Sequence, residues 1–254
     1  MTDVAMLLAR LKQARLVWPT LLSLAGIVLL TGLGSWQLER RRWKEALIAK
    51  IDARVHAPPL ALADAEAVLR AGGDIEYLHV VARGRFRNEE ERYLYAPSPS
   101  GLGWQVYTPL ELAPARFVWV NRGFVPDDRK PPAGRAPGLL SGEVAVAGLV
   151  RAASRQGSFV PRNDVAGNVW YWPDLAAMSA SSALPGKGLA FAIEADARPA
   201  PLGGLPQGGV TPLSLPNHHL QYALTWYALA LALIAVYLAF AVGRLGQSTP
   251  AGPP

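Results

Sequence analysis

The amino-acid sequence predicts a membrane protein in which two transmembrane α-helices at the termini flank a β-rich α+β soluble domain. Two uncharged apolar runs and a series of short alternating segments between them carry that reading. The first run covers residues 16–38, without a charge between Arg15 and Glu39. The second covers about residues 222–243, inside a stretch with no charge between Arg198 and Arg244. Each is long enough to cross a hydrocarbon core of about 30 Å, which takes about 20 helical residues.

The layout that follows is an N-terminal tail (1–15), a first span (16–38), an extramembrane domain (39–216), a second span opened by a histidine motif (217–243) and a C-terminal tail (244–254). The first apolar run is too long for a signal peptide, and GLGSWQ lacks a small-residue cleavage site, so it reads as an uncleaved anchor. Two spans put both termini on one side of the bilayer and the whole intervening segment on the other.

Past the first span, Trp43, Leu47, Ile51 and Val55 recur at four-residue steps, which continues the helix about four turns until Pro58 and Pro59 stop it. LADAEAVLRAGG reads as a short helix, with Gly72 and Gly73 suited to its C-terminal cap. The period then changes to two in YLHVVARGRF, RYLYA, WQVYTPLEL, RFVWVNRGFV, EVAVAGLVRA and GLAFAIEA, six strands separated by turn residues. They predict an antiparallel barrel or sandwich. DDRKPPAGRAPG reads as a loop, DLAAMSASSAL as a short helix, and PAPLGGLPQGGVTPLSLPN as a linker back to the membrane.

The chain has 25 Lys and Arg against 19 Asp and Glu, and 21 of those bases with 18 of those acids lie between the spans. Residues 39–54 hold six bases and three acids, which accounts for the whole excess there and leaves the rest of the domain neutral. The basicity therefore belongs to the membrane surface, where each Lys or Arg gains about 1 kcal/mol from anionic headgroups. Nucleic-acid binding, which wants a basic stripe on a folded face, has no support. The charge flanking the first span would by itself keep the loop in the cytoplasm, but long loops cross largely regardless of charge. There is no cysteine, which excludes disulfides, thiolate nucleophiles and cysteine-held metals.

The candidate chemistry gathers at the inner ends of the two spans. Of four histidines, His56 and His79 fall beside a helix break and in a strand, where surface or packing roles suffice. His218 and His219 precede the second span, and His219, Tyr222, Ala223, Trp226 and Ala230 share one helical face. A neutral imidazole there, beside aromatics and small residues, suits either an axial haem ligand or an interfacial histidine bonded to headgroups. Gly32, Gly34 and Ser35 permit close approach to the first span. Trp36 then faces either the crossing point or the interface, and Arg40, Arg41 and Arg42 pair either with ligand carboxylates or with lipid phosphates. VNRGFVP places Arg122 at a strand end before a glycine turn, in a structural ion-pair or turn role. Trp170, Tyr171, Trp172 and Asp174 suit packing or docking. No catalytic triad, carboxylate pair, phosphate loop or zinc spacing is present, so the expected protein is not an enzyme.

Taken in order, GSWQLERRRWK after the first span, VNRGFVP in the middle and NHHLQYALTWYALA opening the second span resemble the surfeit locus family of cytochrome c oxidase assembly factors. The resemblance covers nearly the whole chain. It implies a role in bringing haem a to oxidase subunit I, in the inner mitochondrial or bacterial cytoplasmic membrane, with haem a synthase as a further partner and the domain in the periplasm or intermembrane space. In bacterial members the histidine of N-x-H-L-x-Y-A-x-T-W is linked to haem a binding, and His219 takes that position here. Trp36 and Trp226 would then lie against the ring, Tyr222 would flank His219 in the same cofactor site, and Arg40 or Arg41 would lie near the propionates. A scaffold that holds subunit I without touching haem is the alternative. Two departures from the family pattern are Phe124, where a tryptophan is usual, and His218, which offers a second histidine beside the first.

Overall fold

The computed structural model describes residues 15–98, 101–211, 213 and 215–247. Residues 1–14 and 248–254, which make up most of the two predicted tails, lie outside the described residues. In chain order the elements are α1 (Val17–Val55), β1 (Leu60–Ala61), α2 (Leu62–Arg70), β2 (His79–Phe86), β3 (Arg92–Ser98), β4 (Gly101–Ala113), β5 (Arg116–Pro126), β6 (Glu143–Ala152), β7 (Val169–Trp170), α3 (Leu175–Ala180), β8 (Lys187–Ala195) and α4 (His219–Gln247). Two compact units result: one from the residues up to Ala49 with those after 214, the other Lys50–Leu213.

The first unit is a pair of helices, each long and apolar enough to cross a membrane. Pro19 is tolerated in α1 because its missing N–H falls in the first turn, where it has no helical partner. The two helices meet through small and hydroxyl-bearing residues, as helices in lipid do. Thr20 Oγ1 lies 2.6 Å from the Tyr237 hydroxyl and Ser35 Oγ 3.1 Å from the Tyr227 hydroxyl. A Cβ on Gly34 would sit 2.8 Å from the Tyr227 ring, so only glycine leaves that ring its seat. Ala223 and Ala230 are buried on the facing side of α4.

The second unit begins within α1, whose continuation past the span is the helix that the four-residue stripe predicts. Ile51 on that stripe is buried and Trp43, in the first unit, is 55% exposed. Arg54 in the last turn donates to the carbonyls of Asp74 and Glu76, and Lys50 bonds the Asp74 carboxylate at 2.7 Å. Helix α2 ends as its glycines require, with Gly72 at φ +76° and the Gly72 and Gly73 amides returning to Leu69 and Val68.

All six strand segments read from the sequence form strands, and β1 and β7 are two short additions. Five of them close into a barrel in the order β2–β6–β8–β5–β4, and the ring is completed by Arg85 against Glu111 and Phe86 against Leu110. Every barrel pairing is antiparallel except β5 with β8, which run parallel. Counted in chain order the strands follow 1-2-3-5-4-1, the connectivity of the OB-type Greek-key barrel. The expected antiparallel barrel is thus a mixed one. β3 and β7 extend the sheet beyond β4, and β1 lies parallel to β2.

Both faces of β5 are covered, which is why it reads as one apolar run. Val118 and Val120 join Val80, Leu110, Val150, Phe191 and Ile193 in the core that α2 caps with Leu62 and Ala65. The alternate residues Phe117 and Trp119 pack outward against Trp170, Leu175 and Met178 of β7 and α3.

Residues 196–209, which include the first part of the segment read as a linker (199–217), form a strap laid on the barrel. Phe124 and Gln207 exchange both backbone hydrogen bonds at 2.9 Å, and the Gly209 amide bonds the Ala195 carbonyl. Gly123, at φ +115°, is where the strap comes closest: a Cβ there would fall 1.8 Å from the Gln207 carbonyl oxygen. The strap has no periodicity because backbone contacts, rather than a repeating apolar face, hold it.

Candidate functional site

The histidine motif lies where α4 begins. Its apolar run starts the helix at His219, and the His219 Nδ1 is 2.7 Å from Gln37 Oε1 on α1. An amide oxygen only accepts, so Nδ1 carries the proton and donates, and in the neutral ring Nε2 keeps its lone pair. That is the arrangement a metal-ligating histidine needs, with the second nitrogen fixing tautomer and orientation. His219 is half-buried. Next to it the Lys44 ammonium donates to the Pro216 carbonyl, fastening the chain just before the motif to α1. His218 is exposed. Asn217 keeps a buried Oδ1 with no hydrogen-bond partner among the described residues.

The other residues read from the sequence are distributed around this point. Trp226 is half-buried, while Trp36 and Tyr222 are 51% and 57% exposed on the outer sides of their helices. Arg40 stacks over Trp43 at 4.6 Å, and Arg41 is ion-paired with Glu45 at 2.7 Å. None of these five side chains makes a hydrogen bond or ion pair to His219 among the described residues. Gly34 and Ser35 take part in the helix contact as expected; Gly32 faces open space. Gln37 was missed by sequence reasoning. Its signal is positional: Gly34, Gln37, Arg41 and Lys44 follow three- and four-residue steps, so they share one face of α1.

Within the barrel unit, VNRGFVP is the C-terminal part of β5, so Arg122 and Gly123 lie within the strand rather than at its end before a turn. Asn121 and Arg122 are buried, and the Gly123 amide is bonded by Asn121 Oδ1 at 3.1 Å. Arg122 donates to Asn88 Oδ1 at 3.1 Å and to the Gly138 carbonyl, and it lies 3.7 Å from Glu91 Oε1. Glu91 is itself held by the two terminal guanidinium nitrogens of Arg135, with Nη1 at 3.1 Å, and by the Tyr93 hydroxyl at 3.1 Å. Arg135 comes from the segment read as a plain loop, which forms two short 3₁₀ turns that carry this side chain inward.

Burial shapes the protonation of this cluster. It pulls the Arg122 pKa down to about 10, against the attraction of Glu91 and with repulsion from Arg135 added. It also opposes the charge on Arg135, but the bonds and the charge of Glu91 outweigh it and hold that pKa above the ordinary arginine value. The Tyr93 phenol is pushed up to about 12, by burial first and by the Glu91 charge second.

Comparison with known proteins places these motifs in a wider set. The model of the SURF1 family matches residues 24–231, a range that includes the α1 end, the β5 motif and the start of α4. The chain is 38% identical over 221 residues to a SURF1-like protein of Monosiga brevicollis, covering 82% of this chain and 81% of that one. It is 37% identical over 217 residues to Surfeit locus protein 1 of Mus musculus, covering 79% and 68%. The Homo sapiens protein of the same name is 36% identical over 218 residues, covering 79% and 70%.

Proposed function

Since the chain belongs to the SURF1 family, we propose that it is a cytochrome c oxidase assembly factor that holds haem a on His219 for delivery to oxidase subunit I. The observation that carries this reading is the hydrogen bond from His219 Nδ1 to Gln37, which leaves Nε2 as an available ligand atom at the start of α4. Haem a is cargo here, so a single ligand supplied by a half-buried side chain suits release better than a closed pocket with two. His219 offers the ligand atom, Gln37 sets its tautomer and Lys44 secures the chain before it. Trp226 is the aromatic nearest to a packing role beside the ring, and Arg40 and Arg41 supply positive charge for its carboxylates. Haem a synthase is the proposed source. The proposed setting is the inner or cytoplasmic membrane, with the domain between the spans in the periplasm.

A second reading is favoured by the exposure of Trp36 and Tyr222 on the outer sides of the helices. Aromatic side chains presented there suit contact with lipid or with membrane helices of subunit I, as in a scaffold that never binds haem. Absorption spectra of detergent-purified protein from cells that make haem a separate the two. A haem a band present in the wild type and in His218→Ala, and absent in His219→Ala, supports the holder. No band, or equal bands in all three, supports the scaffold.

A further inference from the structure

A cavity of about 230 Å³ opens between the strap and the barrel. Its walls are apolar, from Phe86, Leu140, Val146, Pro199, Leu202 and Pro206, and Arg122 lines it. The charge around Arg122 does not balance. Two buried guanidinium groups, Arg122 and Arg135, share one buried carboxylate, and Arg135 takes both oxygens of Glu91. Arg122 is left 3.7 Å from the nearer oxygen, with hydrogen bonds only to the neutral acceptors Asn88 Oδ1 and Gly138 O. Of its five N–H groups, three have no hydrogen-bond partner among the described residues.

Asp196 also lines the cavity, but its carboxylate is taken by His79 Nε2 at 2.9 Å. The other ring nitrogen of His79 faces the Ala57 carbonyl at 3.0 Å. The ring thus lies between the Asp196 carboxylate and the chain, so Asp196 already has a partner within the domain. Arg198 at the exposed mouth adds a further positive charge. A buried, under-compensated cation is costly, and an entering anion relieves that cost. Apolar walls make an ion without a hydrocarbon part a poor occupant. At about 30 Å³ per water-sized group, the volume takes about eight non-hydrogen atoms.

We propose that this cavity binds a small amphiphilic monocarboxylate, with the carboxylate on Arg122 and the hydrocarbon chain between the strap and the barrel wall. Arginine is suited to the role because its planar fork matches a carboxylate in two parallel bonds. Hexanoate has the right size.

The test uses the full chain in lipid nanodiscs and a hexanoate carrying a terminal diazirine, photolysed and mapped by mass spectrometry. The expected label falls on peptides containing residues 143–152 and 196–208. Excess hexanoate should compete it at least tenfold, and hexanamide or inorganic phosphate should not. Arg122→Gln should lower labelling about tenfold. Because that variant disturbs a buried cluster, Ala147→Phe serves as the second: it fills the cavity from β6 and leaves the arginines in place, and it too should abolish the label. Label confined to the apolar helices, equal competition by hexanamide or phosphate, or unchanged labelling of Ala147→Phe would overturn the assignment.

Discussion

Gln37 Oε1 sits 2.7 Å from Nδ1 of His219, a contact that joins the inner ends of the two apolar helices through a single hydrogen bond. Removal of such a partner from a ligating histidine typically costs 10–100-fold in affinity, because tautomer and ring orientation are no longer fixed. Gln37→Leu is therefore expected to weaken haem a retention by about that factor while leaving the helices intact. Titration of the purified variant with haem, read as the visible band, checks this. Retention equal to wild type would mean that the bond is only a helix contact.

Among the described residues Glu91 is the one carboxylate within ion-pair distance of both Arg122, at 3.7 Å, and Arg135, which it bonds, and all three side chains are buried. Glu91→Gln leaves two guanidinium groups inside the domain with no counter-charge. Breaking a buried ion pair from one side costs about 3–5 kcal/mol. Urea unfolding of the full chain in mild detergent, followed by tryptophan fluorescence, should show a loss of that order. A loss under about 1 kcal/mol would mean that the cluster is open to water.

Gly123 combines φ +115° with a strap carbonyl where its Cβ would be. Gly123→Ala must strain the backbone, at about 1–3 kcal/mol, or push residues 205–208 off the barrel. Hydrogen exchange distinguishes the outcomes, since a lifted strap loses protection at the Gln207 amide, which bonds the Phe124 carbonyl. Unchanged protection and stability together would contradict the packing described.

What the sequence reveals here follows from which forces leave a local trace. The spans, the continuation of α1 to Val55 and all six strands are written in apolar periodicity, and each is present. Barrel closure through Arg85–Glu111 and Phe86–Leu110 is a long-range pairing with no period of its own. The strap is held by backbone bonds to Phe124 and by glycine contacts, so its proline- and glycine-rich composition looks like a linker. Arg135 and Glu91 lie 44 residues apart, and nothing near either announces the other. His219 was visible as a histidine beside an apolar run; its partner Gln37 was not, although it lies inside GSWQLERRRWK, because nothing in one helix names the residue on the other that it meets.

Asp74 gives a prediction with a defined pH window. Its pKa lies below the ordinary carboxylate value, first because of the hydrogen bond from Lys50, then the Glu76 amide, with Arg54 adding its charge. Folding thus favours the ionised form. That contribution is fully present above the unfolded pKa of about 3.9 and is lost as the pH falls through the lower, folded value. The same bonds fasten the end of α1 to the loop before β2. Thermal unfolding of wild type and Asp74→Asn should therefore differ between pH 5 and 7, with the wild type more stable. The gap should shrink once the pH drops below about 3.9, because the protonated carboxyl resembles the amide. Parallel melting curves across the whole range would show that the Lys50 and Arg54 contacts add nothing to the folded domain.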